Sequence, residues 1–472
     1  MKRNIVRVLA IYLFCSICFA CMTNVDNLMD SGTPIIESSP ALVADVKATT
    51  HFLGWGNVGD TIISVKADKD VLPASNGKKV DLSSITTNTE DNFRLLSVGG
   101  SLSAGFRDGG LYREGQLTAF PNLVARQMGV KFNQPLFDVS DGNGSGYKTL
   151  LGIQPIASFK MVTNNLGYVD SKAEKLKKFT GSNLDNYAFP GMNYSLGYLG
   201  VNEKIRQKFS DRIFNNTQKE IIFNSQVIVN QSCDFFIVEA GLDDAVEYVS
   251  VGNGVGVFNS TNPFGGTGIS NIIKTFADKK SKGIAINVPD VLDLPYFSQI
   301  TAEKIKKLTG VVIRVKDNGS AQVDIAGYRD FNPITDKLIP TPTVQKLMSG
   351  EIKGLVRLED SEVLSKESGN DEWIDASPTV YNDYKISHFA KANNIPVVDL
   401  YSIYKKIIAG AYTTHDGVKV DANWAKGNFF STDGIYPTAF GQAVIANEVI
   451  KTMNQHYKLA IPFADTRFFL KK

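Results

Sequence analysis

Short apolar runs alternate along the chain with segments whose apolar residues recur at helical spacing. Five runs have the length and composition of buried strands, and they lie at residues 95–98, 186–189, 234–240, 283–288 and 395–400. Amphipathic segments predict helices at residues 116–128, 269–277, 381–393 and 438 to about 453, and a further helix that ends near 209. Repeated strand–helix units with apolar strands favour a parallel sheet with helices on both faces. The pattern therefore predicts an α/β fold.

Two insertions interrupt this alternation. Residues 250–268 are rich in Gly, Asn and Ser and predict a loop, whereas residues 299–377 mix short β-type pieces with helix and charge and predict a small lobe. Residues 49–92 carry short β-type pieces among polar residues and predict an N-terminal extension of the main body. The expected organisation is one domain at 49–472 that includes this extension and both insertions.

The beginning of the chain has the pattern of a targeting segment. A basic start precedes an apolar run at 8–20, which is too short to span a bilayer and is typical of a secretory signal. The run ends in Cys-Phe-Ala and meets Cys21, which resembles a bacterial lipobox, where the cysteine is acylated and becomes the mature terminus. We expect a signal peptide at 1–20, a lipid anchor at Cys21 and a flexible tether at 21–48. An ordinary secretory peptide stays open as the alternative.

Composition and charge narrow the class of protein. The chain is 43% hydrophobic and 21% charged, an ordinary globular composition that can form a sizeable core. Its formal net charge of +2 predicts no nucleic-acid partner. A lipid anchor on a hydrophilic body predicts a protein that is tethered to a membrane and does not span it.

The first predicted strand leads into a candidate site. The run at 95–98 ends in Gly99 and Gly100 and meets Ser101, after which the pattern becomes helical. A serine in such a tight turn lies beside backbone N–H groups, where a nucleophile or an anion-holding hydroxyl would sit. The same pattern also occurs as plain turn chemistry, so the turn alone leaves both interpretations open.

Further polar positions follow other strands. Gly191 comes after the second predicted strand and Asp243 after the third, while Asp433 and Tyr436 come just before the final helix. In an open parallel sheet, ligands bind beyond the carboxyl ends of the strands. We therefore expect these residues to lie close to Ser101.

The four blocks, in this order, resemble the SGNH (GDSL-type) hydrolase family. The blocks are Gly99-Gly100-Ser101-Leu102, Pro190-Gly191-Met192-Asn193, Gly241-Leu242-Asp243-Asp244 and Asp433-Gly434-Ile435-Tyr436-Pro437. The resemblance covers about residues 93–457 and is strongest to a branch of lipobox-bearing proteins from the Bacteroidetes. It implies a three-layer α/β/α sandwich around a flavodoxin-like parallel sheet. It also implies ester hydrolysis, with Ser101 as nucleophile, Gly191 as an oxyanion donor beside the Ser101 N–H, and Asp433 as the acid that orients a histidine.

Two positions depart from the family pattern. Tyr436 stands where the family has its catalytic histidine, and a phenol that titrates near pH ~10 is a poor base compared with an imidazole near ~6.5. Asp243 stands where the family has its oxyanion asparagine, and a carboxylate there accepts hydrogen bonds instead of donating them. The expected site is therefore degenerate: the nucleophile position is kept and its base is lost.

Other residues are candidates for the missing roles. His415 lies in the loop leading to the Asp433 segment and is the one plausible substitute base among four histidines, His51, His388, His415 and His456. Asp243 and Asp244 could act as paired acids, or bind a metal together with Asp433, but adjacent acids after a strand usually form a solvated or capping pair. We expect no metal and no cofactor.

Three functions follow as hypotheses. The first is an outer-membrane lipoprotein with an SGNH fold that has lost efficient hydrolysis and acts as a binding or accessory subunit. Its partner would be an outer-membrane β-barrel or a multi-protein complex, contacted through the lobe at 299–377. The second is a working serine esterase that uses Ser101 with His415 or an unusual base. The third is a lipoprotein, exposed on the cell surface, that binds a glycan or an acyl ligand.

Overall fold

The structure is a computed structural model. It describes residues 60–61, 66, 68–73, 79–89, 92–153, 157–192, 203–214, 226–250, 268–298, 300–316, 323–324, 326–365, 382–383 and 386–470. The described residues all belong to the compact unit of residues 41–472. The predicted signal peptide, Cys21, the tether and His51 lie outside the described residues, as does nearly all of the loop predicted at 250–268.

Strands and helices occur along the whole described part of the chain, with several strands in succession at residues 147–176 and 312–338. The strands are β1 (Asp60–Thr61), β2 (Leu95–Gly99), β3 (Tyr147–Gly152), β4 (Ser158–Val162), β5 (Tyr168–Asp170), β6 (Lys175–Leu176), β7 (Phe235–Glu239), β8 (Lys282–Ile286), β9 (Val312–Lys316), β10 (Tyr328–Asp330), β11 (Asp336–Leu338), β12 (Leu355–Leu358), β13 (Val363–Ser365) and β14 (Val397–Val398). The helices are α1 (Asp68–Val71), α2 (Ser101–Ala104), α3 (Arg113–Leu117), α4 (Phe120–Met128), α5 (Glu203–Ile213), α6 (Leu242–Ser250), α7 (Ile269–Asp278), α8 (Pro295–Ser298), α9 (Ala302–Thr309), α10 (Pro342–Ser349), α11 (His388–Ala392), α12 (Leu400–Ile408) and α13 (Ala439–Tyr457).

The central sheet is parallel, which confirms the α/β prediction. Its strand order is β14-β8-β7-β2, and every neighbouring pair in it runs parallel. All residues of β2 and β7 are buried, as expected for apolar strands covered on both faces. The carboxyl ends of these strands therefore meet at one edge, where Ser101 and Asp243 follow β2 and β7.

The segment predicted as a second strand lies beside β2. It forms one parallel bridge, between Asn186 and Ser97, and does not extend into a named strand. Ser97 N donates to Asp185 O at 2.8 Å, and Tyr187 N donates to Ser97 O at 2.8 Å. Along the sheet, the five segments therefore follow the order second, first, third, fourth and fifth in the chain.

The helix predicted at 116–128 is two helices, α3 and α4. Pro121 is the second residue of α4, where its missing N–H costs nothing. A continuous helix would place the Pro121 ring against the carbonyl group of Leu117, so the chain breaks between them. The N–H of Phe120, left free by the break, donates to Gln442 Oε1 of α13 at 2.9 Å. The periodic pattern alone did not reveal this break.

The fifth strand is also shorter than predicted. β14 contains only Val397 and Val398, because α12 begins at Leu400. The Asp399 side chain accepts a hydrogen bond from Ser402 N at 3.2 Å and so caps this helix. The helices predicted at 269–277 and 438–453 are confirmed as α7 and α13, and Thr438 caps α13 through Gly441 N.

The predicted lobe at 299–377 has sheets of its own in its described part. Strands β10, β9 and β12 form one sheet, and β11 pairs with β13. Val312 and Leu355 are direct cross-strand neighbours in this sheet and are 45% and 49% exposed.

Candidate functional site

Ser101 lies in the turn that the sequence predicts. β2 ends at Gly99 and α2 begins at Ser101, whose side chain is fully buried. A Cβ atom on Gly100 would lie 2.7 Å from Asp243 Oδ2, so only glycine fits between them. Instead of facing a base, Ser101 Oγ donates a hydrogen bond to Asp243 Oδ2 at 2.9 Å.

The Asp243 carboxylate fills the place that an oxyanion would occupy. Its Oδ2 accepts from the Ser101 N–H and the Gly191 N–H, both at 2.8 Å, as well as from Ser101 Oγ. We call these three donors the anion cradle. Gly191 has a φ of 78°, a left-handed conformation that favours glycine and gives its N–H this direction. Asp243 was expected to line the oxyanion site; in the structure its carboxyl group occupies that site. Burial raises the pKa of Asp243, and the hydrogen bonds from Tyr436, Ser101 and Gly191 oppose that rise.

Tyr436 acts as a fourth donor to the same carboxylate. Its Oη donates to Asp243 Oδ1 at 2.7 Å, and its ring is fully buried, edge-on to Phe106 at 5.4 Å. Burial, with the charge of Asp243 adding to it, raises the pKa of Tyr436 well above its ordinary value of 10.0. The Tyr436 phenol is therefore a hydrogen-bond donor and cannot accept the proton of Ser101.

Asp433 does not orient a base. Its Oδ1 accepts from the backbone N–H groups of Ile435 and Tyr436, both at 2.8 Å, and its Oδ2 accepts from Gly109 N at 3.3 Å. The carboxyl group is 1% exposed, and burial, with the charge of Asp108, raises its pKa to about 7. Asp433, which was expected to orient an imidazole, instead accepts hydrogen bonds from the backbone of its own loop and of Gly109.

The described histidines lie away from the cradle. His415 is exposed, lies 4.6 Å from the Phe463 ring between centroids, and has Asn447 Nδ2 at 3.4 Å from its Nδ1. His388 and His456 are exposed as well, whereas Ser101 is fully buried. None of these three histidines hydrogen-bonds to Ser101, so the structure does not support the substitute-base hypothesis for His415.

Glu239, the last residue of β7, is a site residue that the sequence reasoning missed. Its Oε2 accepts from Gly100 N at 3.1 Å, from Ser103 N at 3.3 Å and from Ser103 Oγ at 3.0 Å. Burial, with the charge of Asp243, raises its pKa to about 7. The signal was present in the sequence, because an acid directly after four apolar strand residues must be buried with partners.

A tight turn closes the cluster from the side of Asp433. Asp108 and Gly109 both have positive φ, at 55° and 73°. Asp108 Oδ1 accepts a hydrogen bond from Thr432 N at 2.9 Å, and the Asp108 N–H donates to Ser431 Oγ at 3.0 Å. The turn and the segment before α13 are therefore held together by these hydrogen bonds.

This geometry limits the chemistry that Ser101 can perform. Ser101, Asp243 and Tyr436 are 0%, 3% and 0% exposed, so an ester carbonyl cannot reach the hydroxyl unless the cluster opens. The cradle that would stabilise a tetrahedral intermediate already binds a carboxylate, whose charge would repel a developing oxyanion. In this arrangement, Ser101 has a structural hydrogen-bonding role.

Two further features bear on the expectations from sequence. Across the described residues, no group of three or more His, Cys, Asp or Glu side chains has the arrangement of a metal site. Among the helices that the structure describes, none combines the length and apolarity needed to cross a bilayer.

The chain was compared with known proteins in three ways. It matches no protein-family model, no curated protein and no solved structure.

Proposed function

We propose that this chain is an outer-membrane lipoprotein with an SGNH-type fold that has lost ester hydrolysis and acts by binding, as an accessory subunit of an outer-membrane assembly. One observation carries the proposal: the carboxylate of Asp243 occupies the cradle formed by Ser101 and Gly191. A hydrolase needs that cradle empty for its transition state. Here, four donors hold an internal anion in it.

The strand order supports the SGNH-type fold. Parallel segments in the order second, first, third, fourth and fifth are those of a flavodoxin-like sheet. The blocks that resemble the family motifs converge beyond the carboxyl ends of these strands, since Ser101, Gly191 and Tyr436 all contact Asp243. Such convergence is expected if the scaffold descends from a hydrolase of this type.

The proposed location rests on the sequence around Cys21. A basic start, an apolar run too short to span a bilayer and a small residue before Cys21 favour acylation of that cysteine. We assign partner contact to the lobe at 299–377, where Val312 and Leu355 form an exposed apolar pair on a sheet face. Contiguous apolar surface on a folded lobe is typical of interaction sites, and this pair would form part of such a surface.

Ester turnover tests the loss of activity. The full-length protein is assayed against a panel of acyl esters and acetylated glycans, alongside Ser101→Ala. We expect no turnover above background for either protein. Turnover that Ser101→Ala abolishes would refute the proposal and establish the esterase hypothesis instead.

A further inference from the structure

The outer edge of strand β12 carries backbone groups that no described strand covers. β12 lies at the end of the three-stranded sheet β10-β9-β12, and among the described strands only β9 pairs with it. Val312 lies opposite Leu355 in this parallel pair, and Val312 N donates to Gly354 O at 3.1 Å. Because the backbone groups of successive residues in a strand point to opposite edges, the N–H and C=O groups of Leu355 and Arg357 point away from β9.

This edge is accessible to solvent. Leu355 is 49% exposed, Arg357 is exposed as well, and Val356 between them is partly buried. Side chains alternate between the two faces of a strand, so Leu355 joins the exposed Val312 on one face, whereas Leu358 is fully buried on the other. The edge therefore presents main-chain hydrogen-bonding groups beside a small apolar surface.

The charge of Arg357 does not block this edge. Natural proteins often place charged side chains on an edge strand, where they discourage pairing with another chain. Here the Arg357 guanidinium donates to Asp324 Oδ2 at 2.8 Å and lies 5.5 Å from the centre of the Tyr328 ring, which belongs to β10. β10 lies on the far side of β9 from the edge, so the guanidinium points back across the sheet.

Charge and size indicate what this edge can bind. The cations on the exposed side of the sheet are each paired with a neighbouring acid: Arg314 with Asp324 and Asp330, Lys316 with Glu359, and Arg357 with Asp324. A surface neutralised in this way favours an uncharged partner. A four-residue edge is about 13 Å long and about 10 Å thick, or roughly 130 Å². A stable dimer buries about 800 Å² per partner, so the edge is too small for a second copy and fits a short extended segment.

We infer that the β12 edge binds an extended, uncharged segment of a partner protein as an added strand. The inference rests on the binding function proposed for the lobe and names the kind of contact that the lobe makes. The N–H and C=O groups of Leu355 and Arg357 pair with the main chain of the segment, which supplies affinity. An apolar side chain of the segment, placed beside Leu355, covers the apolar pair that Leu355 forms with Val312.

Hydrogen exchange of the full-length protein in the presence of a strand-forming peptide tests this inference. The probe is the uncharged peptide acetyl-Thr-Val-Thr-Val-Thr-Val-amide, whose residues favour extended structure. The control is the same peptide with every backbone nitrogen methylated. We expect the probe, and not the control, to slow exchange saturably at the amides of Leu355 and Arg357. When about nine-tenths of the edges are occupied, only about a tenth remain free to exchange, so the rate should fall roughly tenfold.

Two variants at one position separate main-chain pairing from side-chain effects. Arg357→Pro removes the outward N–H at an edge position, where proline is tolerated. Arg357→Ala removes the same side chain and keeps that N–H. The alanine variant should keep the slowed exchange at Leu355, and the proline variant should lose it. Equal responses of the two variants, no slowing in the wild type, or equal slowing by the methylated peptide would overturn the inference.

Sedimentation of the wild-type protein tests the other occupant of the edge. We expect no association of the chain with itself through β12, and dimerisation that Arg357→Pro abolishes would assign the edge to a second copy and overturn the inference. Should Arg357→Pro fail to fold, the two peptides on the wild type still decide. None of these measurements involves Ser101, so failure of the edge and failure of the proposed loss of hydrolysis appear in separate assays.

Discussion

Replacing Asp243 with alanine removes the internal anion from the cradle. Four donors then lose their acceptor: the N–H groups of Ser101 and Gly191, the Ser101 hydroxyl and the Tyr436 phenol. Hydrogen bonds to a charged group contribute about 1.5–3 kcal/mol each, so their simple sum is roughly 6–12 kcal/mol. The desolvation of the carboxylate offsets a large part of this sum. We therefore expect Asp243→Ala to lower the free energy of unfolding by about 3–5 kcal/mol, as for other broken buried polar networks.

Formate provides the assay for this prediction. It is the size of the carboxylate that the substitution removes, so it should bind in the emptied cradle and stabilise Asp243→Ala. At ten times its Kd, the recovered stability is about 1.4 kcal/mol, read as a shift in the urea midpoint. Chloride at the same ionic strength serves as the control for salt.

Asp243→Asn is the matched control variant. Its amide still fills the cradle and can present oxygen to the backbone N–H groups, so formate should not stabilise it. A loss below about 1 kcal/mol in Asp243→Ala, which is the size of a surface substitution, would refute the argument that this carboxylate holds the site together. Equal formate responses in the alanine and asparagine variants would refute the cradle as the site of binding.

Three other substitutions test separate parts of the cluster. Tyr436→Phe should lower the free energy of unfolding in urea by about 1.5–3 kcal/mol, because the buried carboxylate of Asp243 loses a donor. Tyr404→Phe is the control and should leave it unchanged, because the buried Tyr404 hydroxyl has no partner. Equal effects of the two substitutions would contradict this prediction. Gly100→Ala should lower Tm, since its Cβ would lie 2.7 Å from Asp243 Oδ2, and an unchanged Tm would show that the carboxylate lies elsewhere. The pKa of Glu239 is raised from 4.5 to about 7, so the folded state binds more protons than the unfolded state between these values, and stability falls as pH rises through that window. Glu239→Gln should remove about 3 kcal/mol of that decline, measured by urea unfolding at pH 4.5 and 8, and an unchanged pH slope would contradict the assignment.

The sequence predicted the backbone positions of the site residues better than the contacts of their side chains. A short apolar run that ends in Gly99 and Gly100 favours a buried strand and a tight turn in any parallel sheet. The strand, the turn and the position of Ser101 could therefore be predicted from the local pattern. Helix boundaries were harder to predict from the sequence, because the apolar periodicity at 116–128 continues across the break that Pro121 imposes. The end of the fifth strand was missed for a similar reason, since capping by Asp399 outweighed the apolar pattern.

The role of Asp243 could be anticipated only in part. Its chemistry, an acceptor where a donor is expected, followed from residue type. That it would fill the cradle depended on Tyr436, which lies 193 residues further along the chain and donates to the other carboxylate oxygen. Long-range complementarity of this kind has no periodic signature in the sequence.

Reactivity of Ser101 toward a fluorophosphonate tests the central claim most directly. The reagent labels a serine whose hydroxyl is activated and accessible, and the modified residue is identified by mass spectrometry of the native protein, with an active serine hydrolase as positive control. Because Ser101 is buried and its hydroxyl donates a hydrogen bond to Asp243, we predict that the control is labelled and that Ser101 is not. Stoichiometric labelling of Ser101 in the folded protein would contradict the account.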